Sequence, residues 1–355
     1  MDIVSLAQEL ERLRSTAVDA VVSTKELKAV PEAGVLTIEV PDLGNYPLTR
    51  WGHEQLAEKT GIPFRYYNAM LDSGLTELAA SNVNAWLQKR DQDGNGKLLI
   101  RTVDKKVRAV LSNRYRVLDN YDLAMLAMER AKEHEAVIQR ADLTDQRMYV
   151  KLVVPKYKEY LEFTPEEKAA HTWHSAADDE VIPGLVVSNS EVGSGAFRVE
   201  PFLFRSGCSN GVILESTLYQ IHLGRELDLG KIIFTDDTRR LEDQLIWSKI
   251  RDVIDATFNP EVLRAIVEKL RVTKGILIPD ERILSVVDTV VKDTQLSKEK
   301  RDALLTYFGR EGNSVFGLVN GITRLAQDFE NADDQVALER YAGKILAEPM
   351  LVVGR

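Results

Sequence analysis

The chain has 355 residues, 44% of them hydrophobic and 28% charged, with a formal net charge of −9; such a composition builds packed cores and excludes a disordered polymer. Its longest apolar runs, such as Gly184-Leu185-Val186-Val187, fall far short of the roughly 20 residues that a membrane span needs. A single cysteine forms no internal disulfide, and residues 1–5 carry neither a basic stretch nor an apolar one, so no secretory signal and a reducing cytoplasm are expected.

Along the chain, Leu6, Leu10 and Leu13 recur at helical spacing among Glu9, Glu11, Arg12 and Arg14, and Pro31, Gly34, Pro41 and Gly44 then break the pattern. Residues 1–50 therefore read as a peripheral helix and an irregular arm. Residues 52–90 read as short helices broken at Gly61-Ile62-Pro63 and Gly74, and Asp91-Gln92-Asp93-Gly94-Asn95-Gly96 is a dense turn signal. Two strand-like runs, 98–103 and 107–111, flank Asp104-Lys105-Lys106, which predicts a short-loop hairpin. A helix over about 121–134 follows. Residues 147–153 alternate, with Met148, Val150 and Leu152 on one side and Arg147, Tyr149 and Lys151 on the other, so one face is expected in the core and the other polar. Strands at 185–190 and 196–204 extend the sheet, through connections too short for parallel crossovers throughout. From about Asp236 the apolar period becomes 3.6 and stays helical to Leu346, apart from turns at Gly275, Pro279, Gly309 and Gly312.

These elements predict an α+β fold: an antiparallel, curved sheet with flanking helices over roughly residues 35–235, followed by an α-helical C-terminal unit. The divisions are an N-terminal helix and arm (1–50), an α+β core with a basic hairpin (51–235) and the helical unit (236–355). No Pro/Ser/Gly linker precedes that last unit, so docking on the sheet is expected.

Several motifs resemble sites without completing one. Asp91–Thr102 matches an EF-hand loop at its acidic positions, but Thr102 stands where a bidentate Glu is required. Residues 54–70 have the outline of a helix-turn-helix, yet the second helix offers Phe64, Tyr66 and Tyr67 with only Arg65 cationic, which suits a packed helical hairpin better than base readout. His171 and His174 lack a second ligand pair, and Cys208 lacks a placed base, so no metal, no cofactor and no catalytic residue are assigned. The glycines of Gly193-Ser194-Gly195 are too few for a phosphate loop.

The cationic hairpin remains. Between Lys97 and Arg116, seven cations face one acid, Asp104, inside an acidic protein. If this hairpin and 147–153 share a sheet, Arg101, Lys105, Lys106, Arg108, Arg147 and Lys151 converge on one surface, with Arg114, Tyr115 and Arg116 beyond the second strand and Tyr149 among the cations. Cations neutralise phosphates and aromatic rings stack on bases, which is how single strands are held in grooves. The competing expectation is a solvated strand face whose arginines pair with neighbouring acids.

Three blocks, Arg108-Ala109-Val110-Leu111-Ser112-Asn113-Arg114-Tyr115 with Leu118-Asp119-Asn120, Ser188-Asn189-Ser190-Glu191-Val192-Gly193, and Phe204-Arg205-Ser206-Gly207-Cys208-Ser209-Asn210-Gly211 with His222 downstream, resemble a family of phage- and plasmid-borne proteins, domain-of-unknown-function family 932. The similarity spans about residues 50–345, with a further helical block at 316–323. Carriage on mobile elements implies single-stranded DNA handling in recombination, by analogy with ring-forming strand-annealing proteins. The resulting expectation is a non-catalytic nucleic-acid binder, acting on single-stranded DNA, without a membrane partner and forming a homo-oligomer. Asn189, Arg205 and Asn210 are second-tier contacts drawn from the family blocks. An enzyme with Arg205, Cys208, Asn210, His222 and His174 around a pocket is the competing reading; a regulator using residues 54–70 is the third.

Overall fold

The computed structural model describes residues 2–92, 96–161, 180–206, 210–214 and 236–353. Helix α1 (Ile3–Thr16) starts at Asp2, whose carboxylate accepts from the N–H groups of Val4 and Ser5. This satisfies donors that a helix start leaves open. Strands β1 (Val18–Ser23), β2 (Lys28–Glu32), β3 (Val35–Val40) and β4 (Gly44–Pro47) follow, where the sequence suggests an irregular arm. Each is short, and β2 holds Pro31 because it is the edge of a small β2-β3-β4 sheet, the place where a strand tolerates a missing donor.

Helices α2 (Arg50–Thr60), α3 (Phe64–Asp72) and α4 (Thr76–Gln92) come next; α4 packs on that sheet, and α2 and α3 pack against α4. The α2–α3 turn uses Gly61 at φ +73°. Tyr67 of α3 is fully buried and its hydroxyl lies 2.6 Å from His53 Nδ1, while Tyr66 stays exposed. The pair is thus a packed helical hairpin whose second helix turns its central ring inward.

The predicted hairpin is present as β5 (Lys97–Val103) and β6 (Lys106–Ser112), and β1 pairs with β5 to give a second antiparallel sheet. Its tip, Asp104-Lys105, has positive φ at both residues, +50° and +57°, the backbone of a two-residue turn that matches strand twist. After α5 (Asn120–Glu133), a curled antiparallel sheet is built from β7 (Val137–Leu143), β8 (Met148–Val153), β9 (Glu159–Tyr160), β10 (Glu180–Asn189), β11 (Arg198–Arg205) and β12 (Asn210–Ile213). The strand order is β12-β11-β10-β8-β7, and β9 pairs with β10. The C-terminal helices are α6 (Asp236–Thr257), α7 (Pro260–Lys274), α8 (Ile283–Thr294), α9 (Lys298–Glu311), α10 (Val315–Ala326), α11 (Ala332–Ala347) and the single turn α12 (Met350–Val353).

Alternation along β8 sends Val150 and Leu152 into a core shared with Leu6 of α1, Leu123 of α5, Ile250 of α6 and Leu263 of α7. The opposite face is buried too. There Tyr149, Val186, Phe202 and Ile213 meet Ala332 and Val336 of α11. The polar side of β8 is therefore an interior surface: Lys151 Nζ donates to both carboxylate oxygens of Glu339 at 2.6 Å, the Tyr149 hydroxyl donates to Asp333 Oδ1 at 2.7 Å, and Arg340 holds Glu200. Helix and strand come close enough here to require glycine, since a Cβ at Gly343 would lie 1.8 Å from the Ile213 carbonyl oxygen.

Two predictions follow from this packing. Lys151→Met strands the Glu339 carboxylate, whose pKa burial already raises, and destabilises the fold by about 3–5 kcal/mol; Lys151→Met/Glu339→Leu recovers most of that in urea unfolding, because the unpaired charge is gone. Burial also pushes the His53 imidazole down to about 4. The unfolded chain takes up a proton near its ordinary value of 6.5 that the folded chain refuses, so stability falls as pH drops from 6.5 toward 4. His53→Gln flattens that dependence by about 1–2 kcal/mol between roughly pH 7 and pH 5, read from urea midpoints.

Candidate nucleic-acid interface

In the hairpin, Leu98, Ile100 and Val110 point into the core beneath α2 and α4, and Leu99, Ala109 and Leu111 face the opposite side, where they pack on Val192. A β-bulge interrupts the register, for Arg101 pairs with Ala109 and Thr102 with Val107, leaving Arg108 unpaired between them. A bulge re-aims the extra side chain, and here it turns Arg108 to the same side as Arg101. Both guanidinium groups then meet Glu191, on the segment that follows β10.

Arg108 Nη1 donates to Glu191 Oε2 at 2.9 Å, and Arg101 Nη2 stands 3.9 Å from Oε1, which also accepts from the Asn120 N–H at 2.7 Å. Arg101 is further held by Asp19 at 2.9 Å and Asp119 at 2.7 Å, and is only 3% exposed. Burial pushes the Asp19 carboxyl up against the opposing pull of Arg101. The neighbouring backbone is tied down as well: Trp51 Nε1 and Gln55 Nε2 donate to the Val192 carbonyl, and the Tyr115 hydroxyl donates to the Ser190 carbonyl. A charge cluster thus fastens the hairpin sheet to the larger sheet.

The expected open surface is not formed by these residues. Arg101, Arg108 and Lys151 are buried in ion pairs, and Tyr149 is enclosed under α11, so none of the four presents its head to a phosphate or a base. Tyr115 is half-buried and engaged through its hydroxyl. Arg116 reaches Glu242 at 3.7 Å, and Arg147 spends its guanidinium on the side chain and carbonyl of Ser194. The hairpin and residues 148–153 lie in two different sheets, and the strands that carry Arg101, Arg108, Tyr149 and Lys151 are covered on both faces. The second-tier residues are structural too. Asn189 donates to the Leu118 carbonyl and to Asn120 Oδ1, Arg205 pairs with Glu311 at 3.0 Å over the Phe316 ring, and Asn210 faces the Asn320 carbonyl. Arg205 and Asn210 are buried against α9 and α10; Cys208, His174 and His222 lie outside the described residues, as does the central part of the Asp91–Gly96 turn.

Lys105, Lys106 and Arg114 do reach the surface. The two lysines project at the hairpin tip. Arg114 stands at the opposite, open end, beside a polar cleft of about 900 Å³ whose rim also carries Lys25, Arg90 and Lys97. Among the described residues, four cations from four separate segments converge there with two acids, Glu26 and Asp91, while Ser23, Ser112 and Asn113 add hydrogen-bonding groups. Among the described residues, the ammonium groups of Lys25 and Lys97 form no salt bridge. Arg90 is steadied by donating to the Lys59 carbonyl at 3.1 Å. Lys97 belongs to the cationic run of the sequence. Lys25 and Arg90 do not, and only the pairing of β1 with β5 and the end of α4 beside Gly96 bring them in.

No family model, no curated protein and no solved structure matches the chain, so the family resemblance rests on its sequence blocks.

Lys105 provides a test that separates fold from interface. A side chain at φ +57° costs about 1–2 kcal/mol relative to glycine, partly offset by the greater freedom glycine has when unfolded. Lys105→Gly is expected to raise stability by roughly 0.5–1 kcal/mol in chemical denaturation.

Proposed function

We propose that the protein binds single-stranded nucleic acid, with the polar cleft at the open end of the β5–β6 hairpin holding the sugar–phosphate backbone. The observation that carries this reading is the convergence of Lys25, Arg90, Lys97 and Arg114 on one recess of an acidic protein. Positive potential focused in a concavity attracts a polyanion despite an unfavourable net charge. The hydroxyl and amide groups of Ser23, Ser112 and Asn113 suit phosphate and sugar oxygens. A recess of this size admits one strand more readily than a duplex, and among the described residues its lining holds no aromatic ring, so affinity comes from the backbone and is indifferent to sequence. In the setting that the family resemblance implies, such an activity belongs to mobile-element DNA metabolism, with strand annealing by an oligomer as its fullest form.

The test is fluorescence anisotropy with labelled single-stranded DNA, RNA and duplex oligonucleotides over a salt series. Single strands are expected to bind best, with log affinity falling by about 0.7 per phosphate contact for each unit of log salt. Lys25→Glu/Lys97→Glu is expected to weaken binding at least about tenfold, and Lys105→Ala/Lys106→Ala to leave it unchanged. A flat salt response, or full affinity in the Lys25/Lys97 variant, overturns the proposal.

A further inference from the structure

A second recess, of about 810 Å³, opens at the other end of the hairpin, where α1, the Asp104-Lys105 tip, the β7–β8 turn and the residue before α11 meet. It lies at the junction of the hairpin sheet and the six-stranded sheet, the kind of seam where small-molecule sites are most often found. Most of its charges are already committed. Arg12 binds Glu9 and Asp104, and Arg108 is held by Glu191.

Three polar groups are not. Among the described residues, neither the Lys106 ammonium nor the Asp145 carboxylate forms a salt bridge, although Lys106 lies near enough to Asp104 to favour its ionised form. Asn331 uses its side-chain oxygen to accept from the Asp333 N–H, which leaves its amide N–H groups for a ligand. Leu13, Val103 and Leu143 supply an apolar part of the wall.

One uncommitted cation, one uncommitted anion and an apolar patch define a ligand of matching chemistry. A simple anion drawn to Lys106 would face Asp145, and a simple cation drawn to Asp145 would face Lys106; a polyanion would also meet Glu9 and Asp104. We infer that this recess binds a small zwitterion of the amino-acid type: carboxylate on Lys106 and the Asn331 amide, ammonium on Asp145, aliphatic side chain against Leu13, Val103 and Leu143. The site is separate from the nucleic-acid cleft and does not depend on it.

Isothermal titration of the full chain with L-leucine, N-acetyl-leucine and isopentylamine tests this. Leucine is expected to bind saturably, and each analogue, lacking one charge, about tenfold or more weakly, the effect of losing a charge-assisted contact. Lys106→Met and Asp145→Asn alter exposed side chains, so both variants are expected to keep the parent melting temperature. Asp145→Asn should abolish the preference for leucine over N-acetyl-leucine, and Lys106→Met the preference over isopentylamine. Absence of saturable leucine binding, equal affinity for all three compounds, or unchanged preferences in both folded variants overturns the inference.

Discussion

Glu191 is the carboxylate around which the two β-layers are assembled. It sits just past the end of β10, almost out of contact with water, and accepts from Arg108 of β6 and from the backbone that opens α5, with Arg101 of β5 close behind. Removing Arg108 would take from the buried Glu191 carboxylate its nearest cation, a far greater penalty than the loss of a surface pair. The bulge in β6 is part of the same device, because strict alternation would have sent Arg108 toward the apolar side of the hairpin.

That arrangement explains why composition was informative about class and misleading about surface. The antiparallel sheet, the hairpin and the helical C-terminal third were all legible, since strand alternation, turn chemistry and the change to a 3.6-residue period are local properties. The location of solvent was not. A row such as Arg147, Tyr149 and Lys151 looks identical whether water or α11 covers it, and the covering glutamate, Glu339, lies nearly two hundred residues away in the chain. The short strands between Val18 and Pro47 were hidden for a related reason: β1 is completed by β5, and no neighbouring segment announces the pairing.

The cations that stay in solvent do so at the two ends of the hairpin, and the ends differ in character. At the open end, basic groups from β1–β2, α4, β5 and the segment after β6 gather round a polar recess. At the tip, positive and negative groups alternate, and Arg12 straps α1 across the turn through Asp104. The cores between them, beneath α2 and α4 on one side and against Val192 on the other, separate the two ends.

The approach of α11 to β12 at Gly343 has a meaning beyond packing. With the Ile213 carbonyl where a methyl group would have to go, even alanine acts as a wedge, tilting the whole helix away from the strand beneath it. The same helix carries Asp333, Glu339 and Arg340, each engaged with a partner on the sheet. A single added carbon at that spot would therefore be felt as an electrical fault, admitting water to two ion pairs and a hydrogen bond to a carboxylate.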